Sequence, residues 1–130
     1  MMDRVHGRRM KCILVEDDPF WVAEISAILA DDDVELLVAR DGRAALKLVK
    51  AHPDAAMVLD MILPEVDGVQ VLQGIRRIAP EMRVLAITGG GRIGADFYLR
   101  LARQFGANSL LAKPFTDTQL KDGWRSITTP

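Results

Sequence analysis

Five times along this chain a short apolar run gives way to a longer stretch whose apolar residues recur at helical spacing. The runs are CILV (12–15), VELLVA (34–39), AAMVLD (55–60), RVLAIT (83–88) and SLLA (109–112). Short continuous apolar runs of this kind read as strands buried on both faces. The stretches between them read as amphipathic helices: 19–30, 42–51, 66–79, one around 98–105 and one from about Thr116. Their apolar faces carry Val22, Ile25, Ile28 and Leu29, then Val69, Leu72, Ile75 and Ile78, then Tyr98, Leu101, Ala102 and Phe105, then Leu120, Trp124 and Ile127. Strict strand–helix alternation predicts an α/β fold, a parallel sheet covered by helices on both faces.

The punctuation agrees with this division. Pro19 suits a first helical turn, and the Asp before it suits an N-cap. Asp41-Gly42 opens the second helix and His52-Pro53 closes it. The glycines at 89–91 stop the fourth strand, and Gly106 stops the fourth helix. Gly123 stands inside the last helix, where glycine costs about 1 kcal/mol against alanine.

A chain of 130 residues suits one domain with its own core. The division expected is a loose basic leader over 1–9 and a single domain over 10–130. A net charge of −1 supplies no global field to attract nucleic acid or an anionic membrane. Arg4, Arg8, Arg9 and Lys11 near the start read as a solvated tail. No apolar run is long enough to span a bilayer, and the leader lacks the apolar stretch of a signal peptide. Cys12 is the single cysteine, so an internal disulfide is impossible; the expected compartment is the cytoplasm and the expected role of Cys12 a buried hydrophobe. His6 and His52 show no metal-ligand spacing. The chain ends three residues after Ile127, the last apolar position of the final helix. The expectation drawn is that no DNA-binding or catalytic output domain follows.

In an open parallel sheet, chemistry gathers beyond the carboxyl ends of the strands. Glu16, Asp17 and Asp18 follow the first strand, and Asp60 ends the third. Thr88 ends the fourth strand, followed by Gly89, and Lys113 follows the fifth. Carboxylates crowded on one rim repel unless a cation joins them. A hard divalent ion such as Mg²⁺ resolves the crowding, because it takes oxygen ligands and keeps room for water and phosphate oxygens. The plainer reading makes the acidic triplet a helix cap, and Asp18 is expected to do that job. Asp60, Thr88 and Lys113 at the other strand ends tip the balance toward a site.

At this point the sequence resembles the receiver domains of two-component response regulators, of the single-domain chemotaxis type. The matching pieces are ILVEDD, MVLDMILPEVDG, VLAITG and LLAKPF, in order, over residues 10 to about 127. The resemblance implies a doubly wound (βα)5 sheet of five parallel strands in the order 2-1-3-4-5, the flavodoxin-like arrangement. It implies that Asp60 accepts a phosphoryl group from a histidine kinase or phosphotransfer protein, with Mg²⁺ as cofactor. Glu16, Asp17, Asp60 and the backbone carbonyl of Ile62 would hold the ion. Lys113 and Thr88 would contact phosphoryl oxygens, with Thr88 as the switch. Pro64 and Gly68 would shape the loop after Asp60, and Lys113-Pro114 would be cis.

Three features depart from the family pattern. Leu110 stands where many members carry a Tyr or Phe that swings with the threonine, so output through the loop or the fourth helix is expected instead. The segment after Thr88 is about three residues longer than usual and carries Gly89, Gly90, Gly91 and Gly94. Two readings stay open for it: a glycine loop that phosphate orders, or a longer surface loop. Ile62 and Gly90 occupy positions that flank the acyl phosphate in the family; an apolar Ile62 cannot position water, so slow-to-moderate self-dephosphorylation is expected.

The expected function is a phosphorylatable receiver that switches the binding of another protein, a signalling domain rather than an enzyme. The alternative is a receiver-like interaction module that takes no phosphate. A hydrolase using an aspartyl phosphate would want D-x-D at the nucleophile strand, where Ile62 stands. A flavin-binding flavodoxin would want hydroxyls after the first strand, where acids stand. Tyr98, Arg100, Arg103, Gln104 and Gln119 lie on the face that members use for output.

Overall fold

The structure is a computed structural model; it describes residues 9–63, 68–89 and 91–129, with the backbone alone at 91–95. The elements run β1 (Met10–Val15), α1 (Pro19–Ala30), β2 (Val34–Ala39), α2 (Gly42–Ala51), β3 (Ala56–Asp60), α3 (Gly68–Ile78), β4 (Val84–Thr88), α4 (Gly91–Gln104), β5 (Ser109–Ala112) and α5 (Asp117–Thr128). The strands form one parallel sheet in the order β2-β1-β3-β4-β5. Both the composition of the sheet and its order are those expected from the sequence.

Two apolar cores lie on opposite faces of the sheet. Alternate residues of each central strand feed them, because strand side chains point to opposite faces in turn. Ile13, Val15, Met57, Leu59 and Ala86 pack under α2, α3 and α4 with Val49, Leu72, Ile75 and Ala102. Cys12, Leu14, Val58, Leu85 and Ile87 pack under α1 and α5 with Ile25, Leu29, Leu120, Trp124 and Ile127. Cys12 is fully buried, and burial pushes its thiol far up, so it stays a neutral apolar filler.

Side-chain caps fix where three helices begin. Asp18 Oδ1 accepts from the Phe20 N–H at 2.9 Å, and Asp41 Oδ1 from the Ala44 N–H at 2.8 Å. Thr116 and Gln119 form a reciprocal capping box on α5. The side chain of Gln119, one of the expected output contacts, is therefore already used within the fold.

The structure revises three expectations. β1 begins at Met10 rather than Cys12, because Met10 and Lys11 pair in register with Val34 and Glu35. The glycines after Thr88 do not all lie in a loop: α4 begins at Gly91 and takes in Gly94. Extending an existing helix is far easier than nucleating one, so the amphipathic stretch behind these glycines carries the first turn with it. Gly123, expected as a weak spot, has a packing reason. A Cβ there would lie 3.3 Å from two methyl carbons of Leu85, so glycine lets α5 sit close on β4. Gly106 ends α4 with φ +98°, a conformation that favours glycine. Residues 1–8, Pro64 and Gly90 lie outside the described residues. Arg9 and Lys11 are engaged at the amino end of β1, Arg9 with Asp33 and Lys11 with Asp54. Among the described residues, no helix is long and apolar enough to cross a membrane.

Candidate functional site

The carboxyl ends of β1, β3, β4 and β5 meet on one rim. Glu16 follows β1 directly, and its N–H donates to the Ala39 carbonyl at 3.0 Å, which continues the ladder by one residue. That places the Glu16 side chain inside the protein, fully buried. Its Oε1 accepts from Lys113 Nζ at 2.7 Å and its Oε2 from the Asp18 N–H at 3.1 Å. Asp17, one residue on, is exposed.

Asp60 is the last residue of β3 and is 5% exposed. Its Oδ1 accepts from the Ile62 N–H at 3.0 Å, and its Oδ2 accepts from Lys113 Nζ at 3.2 Å. Thr88, the last residue of β4, is buried, and its carbonyl accepts from the Lys113 N–H at 2.9 Å. This bond ties Lys113 to the end of β4. The Lys113-Pro114 bond is cis, as the resemblance implies. Gly68 opens α3 where a Cβ would lie 2.5 Å from the Cα of Met61. Only glycine lets the helix return this close behind Asp60.

One carboxylate oxygen from each of Glu16, Asp17 and Asp60 lies within 4.8 Å of the other two. Three acids face one lysine. Burial pushes the Glu16 carboxyl up to about 7; the Lys113 hydrogen bond opposes this and the Asp60 charge adds to it. The donor set is all hard oxygen with negative charge in excess of the lysine. It therefore fits Mg²⁺ rather than a metal that prefers nitrogen or sulfur.

The structure thus gathers Glu16, Asp17, Asp60, Ile62, Thr88 and Lys113 on one rim. Ile62 meets Asp60 through its backbone, while its side chain is 41% exposed. Leu110 is half-buried in β5 and packs on the core beneath α2, α3 and α4. Sequence reasoning missed an aromatic contact. The Trp21 ring lies 5.1 Å from Lys113 Nζ and 5.0 Å from the Phe115 ring, and Phe20 meets Trp21 edge-on at 5.2 Å. The available signal was spacing: Trp21 stands one helical turn after Asp17, on the helix that leads away from the acids.

The model of the response regulator receiver domain matches residues 12–124. A protein-glutamate methylesterase/protein-glutamine glutaminase of Vibrio vulnificus is 32% identical over 93% of this chain and 35% of its own length. The chain spans between 35% and 52% of the length of the first curated relatives it matches. Among solved structures, a chain of the CheX–CheY–BeF3–Mg²⁺ complex of Borrelia burgdorferi superposes with TM-score 0.85 at 22% identity, covering 97% of this chain and 94% of that one. The receiver domain of a Pseudomonas aeruginosa sensor histidine kinase, with magnesium coordinated in its active site cleft, superposes with TM-score 0.82 at 25% identity. That match covers 92% of this chain and 98% of the other.

Proposed function

Since the chain belongs to the response regulator receiver family, we propose that it is a phosphorylatable switch. Asp60 takes a phosphoryl group from a histidine kinase or phosphotransfer protein, and the charged form binds a downstream protein differently. The observation that carries this reading is the setting of Asp60: nearly buried, 3.2 Å from Lys113 Nζ, with oxygens of Glu16 and Asp17 within 4.8 Å.

Glu16, Asp17 and Asp60 would hold Mg²⁺, with the Ile62 carbonyl as a further oxygen. An ion held there would supply positive charge against that of the transferring phosphoryl oxygens. A carboxylate oxygen of Asp60 attacks the phosphorus of a phosphohistidine. The new O–P bond forms as the N–P bond breaks, and the electron pair returns to the imidazole nitrogen of the donor. Lys113 serves as a fixed point charge for a phosphoryl oxygen. The Ile62 N–H keeps the Asp60 carboxylate oriented. Thr88, buried at the end of β4, donates its hydroxyl to a phosphoryl oxygen and draws the following segment inward.

The test is a beryllofluoride titration in Mg²⁺, followed by the fluorescence of Trp21 beside Lys113 and by calorimetry. A saturable change lost in Asp60→Asn is the expected result. No binding to the native protein by either method refutes the reading and favours an interaction module that takes no phosphate.

A further inference from the structure

Lys113 has two carboxylate partners, and the proposed function removes both. Glu16 is claimed by the metal, and Asp60 becomes an acyl phosphate. Yet Lys113 must then hold a phosphoryl oxygen, on a flexible four-carbon stem. Among the described residues, its ammonium also faces Trp21. The indole centroid lies 5.1 Å from Nζ, within the range of a cation–π attraction. The lysine side chain is 9% exposed, so the attraction acts with little screening by water. Trp21 is itself braced by Phe115 on the loop that follows Lys113, and by Phe20 on its own helix. α1 carries the ring and the end of β5 carries the lysine, so neither partner of this contact stands on β1 or β3, which lead into the two carboxylates.

We propose that Trp21 is a positioning residue for Lys113: its indole face keeps the ammonium at the site once Glu16 and Asp60 are engaged elsewhere. The inference rests on the phosphoacceptor reading above. An ammonium released from both acids would otherwise swing toward solvent, and its contribution to holding a phosphoryl group would fall. The indole costs the site no competing charge, since a π face attracts a cation but offers no formal anion to the metal.

The test uses the full chain and measures beryllofluoride affinity in saturating Mg²⁺ by calorimetry. It compares native protein, Trp21→Phe, Trp21→Leu, Lys113→Met and the double variant Trp21→Leu/Lys113→Met. Trp21→Leu is expected to weaken binding about three- to thirtyfold. Trp21→Phe, which keeps a π face, is expected to fall between it and the native protein. In the Lys113→Met background, Trp21→Leu is expected to change nothing further. An equal loss with and without Lys113 overturns the proposal, because the ring would then act by packing alone. So does a Trp21→Leu variant that is folded by circular dichroism and binds as well as native protein. Failure of the native protein to bind overturns the phosphoacceptor reading and this inference with it, an outcome distinct from the other two.

Discussion

Glu16 should make magnesium binding release a proton. The residue is fully buried, and its carboxyl sits up at about 7. Only the ionised form serves a hard cation. Its ionised fraction is about nine-tenths near pH ~8 and about one-tenth near pH ~6. Magnesium affinity should therefore fall by roughly tenfold between these values. Calorimetry in two buffers of unlike ionisation enthalpy reads both affinity and proton release. About 0.9 proton per ion is expected near pH ~6, and about 0.1 near pH ~8. In Glu16→Gln the pH dependence should vanish while affinity drops. The same group bears on the metal-free fold. Its folded value lies above its ordinary 4.5, so the folded state holds the proton more tightly. The stabilisation from Glu16 is fully present below about 4.5 and lost as pH rises through about 7, with a ceiling of about 3 kcal/mol. Urea unfolding without Mg²⁺ should show that fall, and Glu16→Gln should flatten it. Equal magnesium affinity at the two pH values, with no proton released near pH ~6, refutes the reasoning.

Four further outcomes follow from the geometry. Gly68→Ala forces a Cβ onto the Met61 backbone at 2.5 Å; it should cost about 2 kcal/mol or more in urea unfolding and weaken magnesium binding. Arg76 donates to the carbonyls of Pro80, Met82 and Gly106, so Arg76→Met should lose about 2 kcal/mol with magnesium affinity unchanged. Gly123→Ala gains helix propensity but meets Leu85 at 3.3 Å; the net change should stay below about 1 kcal/mol, and a full propensity gain would count against the packing account. Ile62 presents an apolar, exposed side chain beside Asp60, so a radiolabelled phosphoryl group should decay over minutes or longer rather than seconds.

The sheet and its acidic rim were legible because each was written locally. Apolar runs named the strands, and the strand ends named the residues that share the rim. Asp18 and Asp41 were readable as caps from their place before a helical stretch. The contacts that were not legible join distant segments or use groups that carry no residue identity. Trp21 and Lys113 are far apart in sequence; the spacing of Trp21 from Asp17 places it near the rim but does not name Lys113 as its partner. Arg76 binds three carbonyl oxygens, which any residue supplies. Gly89 follows the end of β4, as the sequence indicates. Gly91 and Gly94 read as loop but stand in α4, where the apolar face farther along the helix decided the local structure.

The lysine and the acids stand on elements of unequal security. Glu16 and Asp60 extend β1 and β3, which are held by a neighbour on each side. Lys113 follows β5, a four-residue edge strand paired to β4 alone and only half-buried along most of its length. Edge strands with few buried contacts open at lower free energy than central ones. A brief detachment of β5 would carry Lys113 away and leave the acids in place. Amide hydrogen exchange should accordingly run faster at Leu110 and Leu111 than at Leu14 or Val58, so the cation half of the site can breathe while the anion half stays shut.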